Sequence, residues 1–246
     1  MKYKLNPLYE ASFKDFLLNI KQHFKNNDNF IHKARNELKI ISHSDIYVVV
    51  KSFKVPNFIN KIAYTFFRDS KAKKSYKYSL RLGEFTPKPI AYIEFFKAGL
   101  IDESYFISEN FTYDFTIREP LLDKTFPNRE VLFKAFAHFT LKLHNAGIFH
   151  DDYSPGNILI KKSENDYIFK IVDVNRMEFI SLNEDMRAQN FAKLWAHDEI
   201  LEIMAEEYSK HYPCSQNFKQ KVLYYSNKNK KIKNFKKRLK GKPVND

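Results

Sequence analysis

The first part of the chain combines helical and strand-like spacings of apolar residues. Apolar side chains at every third or fourth position predict a helix over residues 8–25, and a second helix is predicted over Ser70–Leu82, where Gly83 ends it. The apolar positions of the first helix are Phe13, Phe16, Leu17, Ile20 and Phe24. Apolar runs bounded by turn residues predict strands. The predicted strands are Phe30–Ile41, Asp45–Phe53, Ile90–Phe95 and Ser104–Ser108, with His43–Ser44 in the first turn.

The second part of the chain is mainly helical. Asn128 is predicted to cap a helix, because apolar residues then recur at helical spacing until Gly147. Another helical region is predicted over Asp185–Tyr208. Between these helices, Ile158–Ile160 and Ile168–Val172 are predicted as short strands joined by a polar turn. The apolar positions of the helix that follows Asn128 are Val131, Leu132, Phe136, Phe139 and Leu143.

Together the two patterns predict an α+β fold with two lobes. The small lobe is expected to be mostly antiparallel β with one crossing helix, and the larger lobe to be mainly helical. There are no internal repeats, and no Gly/Ser-rich linker divides the chain. We therefore predict a single domain in which the small lobe covers approximately residues 1–109, the larger lobe 110–218, and a basic tail 219–246.

The composition narrows the class of protein. Of the 246 residues 43% are hydrophobic, with 24 Phe and 15 Tyr, which is typical of a globular rather than a disordered chain. The single Cys214 excludes an intramolecular disulfide and indicates a reducing compartment. No apolar run approaches the ~18 residues that span a bilayer, and the N-terminus lacks a signal-peptide core. We therefore expect a cytoplasmic protein.

The positive charge is concentrated at the C-terminal end. Residues 219–246 contain eleven Lys or Arg and one Asp, and so carry +10 of the net +13. The nearly neutral remainder argues against a nucleic-acid-binding protein. Ile232, Phe235 and Leu239 share one face of a predicted basic helix, a pattern that favours binding to an anionic membrane surface. A solvated final helix or a disordered tail is the alternative.

The segment with the clearest chemistry runs from His150 to Asn157 and spells His-x-Asp-x-x-x-x-Asn. This spacing is typical of the catalytic loop of kinase-like phosphotransferases. Asp152 is the candidate catalytic base, because a carboxylate on a rigid loop accepts the proton of an attacking hydroxyl. The alternative is that this segment has only a structural role, as a buried turn held by local hydrogen bonds.

Two further oxygen ligands follow the base. The Ser-Pro-Gly segment bends the chain so that Asn157 turns its amide oxygen toward a metal ion, and Asp173 returns on the far arm of the predicted hairpin. Amide and carboxylate oxygens suit Mg²⁺, which bridges substrate phosphates. Asn157 and Asp173 are therefore candidate Mg²⁺ ligands and bind the nucleotide through the metal.

A cation for the phosphates of ATP is expected on a strand of the small lobe. Val48–Val50 predicts a buried strand that Lys51 ends, so Lys51 is the first candidate and Lys54 the second. A solvated lysine at a strand end is the alternative for either residue.

Two parts of a typical kinase are missing from the sequence. No Gly-x-Gly-x-x-Gly loop precedes Lys51, so the segment 32–36 would have to cover the phosphates, with Lys33 or Arg35 in place of backbone amides. The helix glutamate that normally pairs with the strand lysine is also absent, since Ser75 stands at the expected position. Glu84 or Glu94 is a possible substitute.

With these parts placed, the chain resembles the bacterial lipopolysaccharide core kinases, the Kdo and heptose kinases of the protein-kinase-like superfamily. The resemblance covers roughly residues 30–210. It rests on the segments Val50–Lys54, Lys71–Tyr76, Thr86–Tyr92, Leu143–Asp152 and Asp173–Met177. The last of these, Asp-Val-Asn-Arg-Met, replaces the Asp-Phe-Gly of protein kinases.

The resemblance implies a two-lobed, protein-kinase-like fold and an ATP- and Mg²⁺-dependent enzyme. Asp152 would be the catalytic base, Asn157 and Asp173 the Mg²⁺ ligands, and Lys51 a contact to ATP phosphates. The acceptor would be a sugar hydroxyl of the lipopolysaccharide core or of a lipid A–Kdo precursor, reached from the inner face of the cytoplasmic membrane of a Gram-negative bacterium. Arg176 could hold an acidic sugar or form a structural salt bridge, and His144 and His150 are expected to be structural.

Three rival functions remain open at this level. The same parts would serve a kinase of another small molecule or of a protein, although no Ala-Pro-Glu segment follows Asp173. The missing glycine loop and helix glutamate would suit a non-catalytic, nucleotide-binding scaffold. The basic tail alone would suit a nucleic-acid-binding module. The acceptor sugar, the position phosphorylated and the oligomeric state are not readable from the sequence.

Overall fold

The structure is a computed structural model that describes residues 1–33, 36–164, 166–241 and 243. Its contacts divide the chain into two compact units. Unit 1 comprises Met1–Thr112 together with Asp173–Asn175, and unit 2 comprises Tyr113–Val172 and Arg176–Asp246. The lobe boundaries expected near residues 109 and 218 stay predictions.

Unit 1 is built on a six-stranded sheet in which every neighbouring pair is antiparallel. Its strands are β1 (Lys2–Leu5), β2 (Phe30–Lys33), β3 (Glu37–His43), β4 (Ile46–Phe53), β5 (Pro89–Lys97) and β6 (Leu100–Glu109). They lie in the order β1-β5-β6-β4-β3-β2. Strand β4 is internal, and Lys51 on it is opposite Leu38 of β3 and Phe106 of β6.

The start of this sheet differs from the sequence prediction. The segment Phe30–Ile41 was expected to form one strand but forms two, because the chain turns back between β2 and β3 and pairs Phe30 with Lys39. The next turn lies at Ser44 and Asp45, which have φ of 46° and 62°. Polar residues in this left-handed region close a tight hairpin between β3 and β4.

The described residues of unit 1 form four α-helices, and all of them except the third contribute to two separate apolar clusters. They are α1 (Glu10–Leu18), α2 (Ile20–Lys25), α3 (Phe58–Ile62) and α4 (Lys71–Leu82). The predicted helix over 8–25 is therefore confirmed, with a break at Asn19. Its apolar residues pack with Val48 and Val50 of β4, whereas Tyr76 of α4 packs with Phe53. Since successive strand residues point to opposite faces, α1 and α2 cover one face of the sheet and α4 the other.

Helix α4 begins and ends where the sequence indicates. The side chain of Ser70 accepts a hydrogen bond from the backbone of Lys73, and Gly83 takes a positive φ of 55° at the C-terminal end. Lys51 and Phe53 are two residues apart on β4, so Lys51 points to the same face of the sheet as α4.

Unit 2 is mainly helical and carries two small antiparallel sheets. The larger sheet has the order β10-β9-β7 and the smaller one pairs β8 with β11. The strands are β7 (Phe115–Thr116), β8 (Ile148–His150), β9 (Ile158–Lys162), β10 (Tyr167–Ile171) and β11 (Met177–Phe179). The helices are α5 (Arg118–Leu122), α6 (Arg129–Asn145), α7 (Glu184–Phe191), α8 (Asp198–His211) and α9 (Phe218–Arg238).

Helix α6 leads into the candidate catalytic segment. Asn128 stands at the N-cap position, as predicted, but it lies in the left-handed region at φ 54° and its side chain makes no capping bond. Val131 is also 60% exposed, whereas Leu132 and Phe136 are buried. Gly147 ends the helical turn as expected: its φ is +70°, and a Cβ there would lie 3.0 Å from the carbonyl oxygen of Ile180. Glycine is therefore required at this junction.

The helical region predicted over Asp185–Tyr208 is two helices. A short 3-10 turn follows α7, and Trp195 then adopts a left-handed conformation with φ 58° before α8 begins. Helix α9 packs against α7 and α8, and Val222 and Ser226 in its first half are buried. Among the described residues, no helix has the length and apolar content needed to cross a membrane.

Candidate active site

The His-x-Asp-x-x-x-x-Asn segment forms a loop in unit 2 between β8 and β9. The backbone N–H of Asp152 donates to Nδ1 of His150 at 3.1 Å, and Nδ2 of Asn157 donates to the carbonyl oxygen of Asp152 at 3.0 Å. The backbone N–H of Ser154 donates to the same carbonyl at 2.7 Å. The side chain of Asp152 remains 37% exposed. The loop therefore holds the backbone of Asp152 in place while its carboxylate stays accessible, as a general base requires.

A buried polar network supports this loop from behind. The carbonyl oxygen of His150 accepts a hydrogen bond from Nδ2 of Asn190 at 2.8 Å, and Oδ1 of Asn190 bonds Nε2 of His144 at 3.0 Å. Nδ1 of His144 bonds the hydroxyl of Tyr208, which also accepts from Nη1 of Arg187 at 2.7 Å. Since Asn190 offers an oxygen, the neutral His144 donates from Nε2 and accepts from Tyr208 at Nδ1.

Burial explains the electrostatic state of this network. Loss of water, together with the nearby charge of Arg187, lowers the pKa of His144 to about 4, although the bond to Asn190 opposes the shift. His144 is therefore neutral at pH 7, which agrees with the structural role expected for it. The roles of Asn190 and Arg187 were missed, because a polar pair three residues apart on a helix gives no distinct sequence signal.

Asn157 is held at the start of the hairpin that the sequence predicts. Strands β9 and β10 pair from Ile158 with Ile171 outward, and the backbone N–H of Val172 donates to the carbonyl oxygen of Asn157 at 2.9 Å. With its amide nitrogen bound to Asp152, the side chain of Asn157 presents its oxygen to other partners. This is the orientation that a metal ligand needs.

Lys51 and Asp173 form an ion pair within unit 1. Nζ of Lys51 lies 2.8 Å from Oδ1 of Asp173, with the two side chains 12% and 44% exposed. Asp173 has a φ of 56°, and Nδ2 of Asn175 approaches the same carboxylate oxygen at 3.3 Å. The positive φ marks a strained backbone, and the two polar contacts to Oδ1 of Asp173 help to hold it.

Ser75, which stands where a helix glutamate is expected, contacts the segment that follows Asp173. Its hydroxyl, 2% exposed on α4, donates to Oδ1 of Asn175 at 3.1 Å. The helix therefore contacts the Asp-Val-Asn segment, while the cation of Lys51 pairs with Asp173 itself. Neither Glu84 nor Glu94 forms a salt bridge with Lys51 in the part of the chain that the structure describes.

The other cations considered for phosphate binding are Lys54, Lys33 and Arg35, and none of them is seen to contact a candidate site residue in the described part of the chain. Lys54 is exposed beyond the end of β4, where its backbone N–H donates to Oδ1 of Asn36 at 3.3 Å. Arg35 and the side chain of Lys33 lie outside the described residues. The lysine that the structure joins to a predicted metal ligand is thus Lys51.

Arg176 lies beside the candidate base in unit 2. Its Nη1 atom is 3.4 Å from Oδ2 of Asp152, and its side chain is 66% exposed. The backbone carbonyl of Arg176 accepts from the N–H of Asp151, whose carboxylate lies 3.5 Å from Nζ of Lys193. Both acidic residues of the loop therefore face a cation. An ion pair with an exposed arginine, such as that between Arg176 and Asp152, is weak enough to exchange partners.

Donor chemistry supports a magnesium nucleotide at these residues. Asn157 offers an amide oxygen and Asp173 a carboxylate, the hard oxygen ligands that Mg²⁺ takes from proteins alongside water and phosphate. Lys51 supplies a point charge of the kind that contacts nucleotide phosphates. The residue types present therefore suit Mg²⁺ and a nucleotide phosphate, and the roles assigned to them from the sequence stay predictions.

Comparison with known proteins establishes the fold. No protein-family model matches the chain, and no curated protein sequence matches it. Among solved structures, that of WaaP in complex with acyl carrier protein matches with a TM-score of 0.65 and 14% sequence identity, over 94% of this chain and 99% of the other. The predicted two-lobed, protein-kinase-like α+β fold is confirmed. Since 1359 solved chains match, the fold alone does not select a substrate.

Proposed function

We propose that this protein is an ATP-dependent phosphotransferase that phosphorylates a sugar hydroxyl of the lipopolysaccharide inner core, on Kdo or heptose. The observation that carries the proposal is the ordered loop in which Asn157 is bonded to the backbone of an accessible Asp152 on a kinase-like fold. The motif resemblance to the lipopolysaccharide core kinases and the structural likeness to WaaP support the choice of this class.

In the proposed reaction Asp152 orients the acceptor hydroxyl and accepts its proton. The hydroxyl oxygen forms a bond to the γ-phosphorus as the bond from that phosphorus to the β,γ-bridging oxygen breaks, which releases ADP. Mg²⁺, when bound through Asn157 and Asp173, would neutralise charge on the phosphates. Lys51 contributes a further positive charge to the phosphates, and positioning by these side chains accounts for the catalysis.

The carboxylate of Asp152 must exchange Arg176 for the acceptor hydroxyl. Because this ion pair is long and its arginine is largely exposed, the exchange involves little loss of stability. Arg176 then remains near the loop as a charge that could hold an acidic acceptor, the role considered for it from the sequence.

A transfer assay with the loop variant tests the proposal. Purified protein and its Asp152→Asn variant are incubated with Mg²⁺, labelled ATP and deacylated inner-core oligosaccharides that end in Kdo or in heptose. We expect labelled sugar from the wild-type protein and about 10³-fold less from the variant. Wild-type protein that binds nucleotide but labels neither sugar would favour the scaffold, and label on another acceptor would favour a different kinase.

We also propose that the exposed face of α9 brings the protein to the anionic inner face of the cytoplasmic membrane. Ile232, Phe235 and Leu239 are 45%, 62% and 71% exposed among basic residues, as an interfacial helix requires. Removing residues 226–246 would also remove the bond from Asn229 to the carbonyl of Ala192. The sharper test is flotation of a triple Ile232, Phe235 and Leu239→Ser variant with anionic liposomes, where loss of binding is expected. Unchanged flotation would refute this proposal.

A further inference from the structure

A cluster of lysines surrounds Trp195 in unit 2, and the function described so far does not use it. Nζ of Lys233 lies 5.1 Å from the centre of the Trp195 ring, and Nζ of Lys237 lies 5.8 Å from it. Both lysines come from α9, whereas Trp195 lies between α7 and α8. Two ammonium groups over one ring leave a surface that combines an aromatic plane with positive charge.

The backbone of Trp195 is held in an unfavourable conformation. Its φ of 58° lies in the left-handed region, which a bulky residue rarely adopts. The flanking residues Leu194 and Ala196 are 1% and 2% exposed, so burial on both sides fixes the chain there. A strained residue stabilised by its surroundings points to a functional role for the orientation of the ring.

The same cluster adjoins the catalytic loop. Lys193, two residues before Trp195, lies 3.5 Å from the carboxylate of Asp151, the neighbour of the candidate base. The pKa of Lys233 is lowered by loss of water and by repulsion from Lys193 and Lys237, while attraction to Asp152 opposes the shift. Lys233 is thus within electrostatic reach of both Lys193 and Asp152.

Helix α9 presents these lysines from a fixed position. One turn before Lys233, Nδ2 of Asn229 donates to the carbonyl oxygen of Ala192 at 2.7 Å. Lys230 lies 3.7 Å from the carboxylate of Asp198, and Val222 is buried nearer the start of the helix. A site on an anchored helix is better preorganised than one on a free tail.

We propose that Lys193, Lys233 and Trp195 form the acceptor site, which binds a sugar that carries a carboxylate or phosphate group near the hydroxyl facing Asp152. This inference rests on the proposed function and deepens it. The ammonium groups of Lys193 and Lys233 bind the anionic group, and the Trp195 ring packs against the apolar face of the sugar. An anion there would relieve the repulsion between the lysines.

This site is separate from the proposed membrane surface. At about 100° per residue, Ile232, Phe235 and Leu239 project from a different side of α9 than Lys233 and Lys237. One helix can therefore serve the membrane with one face and the acceptor with another.

The chain offers a direct probe, because Trp195 is its single tryptophan. Fluorescence of the full-length protein is titrated with Kdo for the carboxylate, with heptose phosphate for the phosphate, and with carboxyl-reduced Kdo as the neutral analogue. We expect a saturable change with at least one acidic sugar and affinity about tenfold lower for the neutral analogue. The acid that binds more tightly identifies the anionic group.

Two variants on α9 distinguish binding at the acceptor site from a nonspecific effect of removing one positive charge. Lys233→Ala should weaken acidic-sugar binding about tenfold and raise the acceptor KM equally, with the KM for ATP unchanged. Lys231→Ala, an exposed lysine two residues away, should change neither value. Equal binding of acidic and neutral sugars, equal weakening in both variants, or no fluorescence response would overturn the acceptor site.

Binding and transfer can fail independently. A wild-type protein that binds the acidic sugar but does not phosphorylate it would refute the proposed function and keep the binding site. If the wild-type protein phosphorylates the sugar and Lys233→Ala leaves the acceptor KM unchanged, the proposed function would stand and the acceptor site would be refuted. If Lys233→Ala reduced liposome flotation but not sugar binding, these lysines would belong to the membrane surface instead.

Discussion

The candidate catalytic loop of unit 2 and the Lys51–Asp173 pair of unit 1 are held by contacts of opposite range in the sequence. The hydrogen bonds that shape the loop join residues two and five apart, from His150 to Asp152 and from Asn157 to Asp152. The ion pair joins residues 122 apart, and the Ser75–Asn175 bond joins residues 100 apart. The loop keeps the His-x-Asp-x-x-x-x-Asn spacing, and in the described residues Lys51 pairs with Asp173 rather than with a helix glutamate. Local hydrogen bonds thus shape the motif, whereas contacts between distant residues place the lysine and the aspartate together.

The largest effect is expected from removing the base on the loop. Asp152→Asn keeps the size of the side chain but loses the proton acceptor, so kcat should fall about 10³-fold. The matched control is Asp45→Asn, in the exposed hairpin turn between β3 and β4, which should retain full activity. Steady-state transfer to the inner-core oligosaccharide measures both, and thermal unfolding confirms that each variant is folded. A similar loss of kcat in Asp152→Asn and Asp45→Asn would contradict a catalytic role for Asp152.

The next largest effect separates Lys51 of β4 from Lys54, which lies just beyond the end of that strand. Lys51→Met should lower kcat/KM for ATP about 100-fold, because it removes the charge beside Asp173 that would contact the phosphates. Lys54→Met, an equal change on an exposed residue, should stay within about twofold of the wild type. A larger loss of kcat/KM in Lys54→Met than in Lys51→Met would indicate that Lys54, beyond the end of β4, contacts the phosphates instead.

The support behind the loop should show in the pH dependence of stability. The pKa of His144 is lowered to about 4 in the folded state from an ordinary value near 6.5, so the unfolded chain binds this proton first. The wild-type protein should therefore lose up to about 3 kcal/mol relative to His144→Gln as the pH falls from 6.5 to 4.

Urea unfolding at several pH values between 4 and 8 measures this difference. Above pH 7 the histidine is neutral in both states, so the gap between the wild type and His144→Gln should be constant there. A gap that stays constant down to pH 4 would mean that His144 is not held neutral by burial.

The smallest effect concerns the hydrogen bond from Ser75 to Asn175. Ser75→Ala removes the bond to Asn175 and should reduce the free energy of unfolding by about 1 kcal/mol, with kcat reduced less than tenfold. Ser79→Ala, one turn further along α4 and equally buried, serves as the control for loss of a buried hydroxyl. If the two variants behave alike, the contact to the Asp-Val-Asn segment has no separate role.

Much of the fold was predictable because its signals are local. The helix over 71–82 has a serine at its start and a glycine at its end, and the β9–β10 hairpin has apolar arms around a polar turn. Differences arose where tertiary packing overrode local pattern. Asn128 stands at the N-cap position but adopts a left-handed conformation, and the predicted strand over 30–41 folds back on itself.

The sequence by itself determined the chemistry of the candidate site, because Asp152, Asn157 and their spacing lie on one short loop that local hydrogen bonds close. Tertiary structure decided which residues accompany that chemistry. Only the folded chain joins Lys51 to Asp173 or stacks Lys233 on Trp195, since these partners are distant in sequence and no spacing rule connects them. Long-range contacts depend on how the sheet and helices pack, which periodicity does not specify.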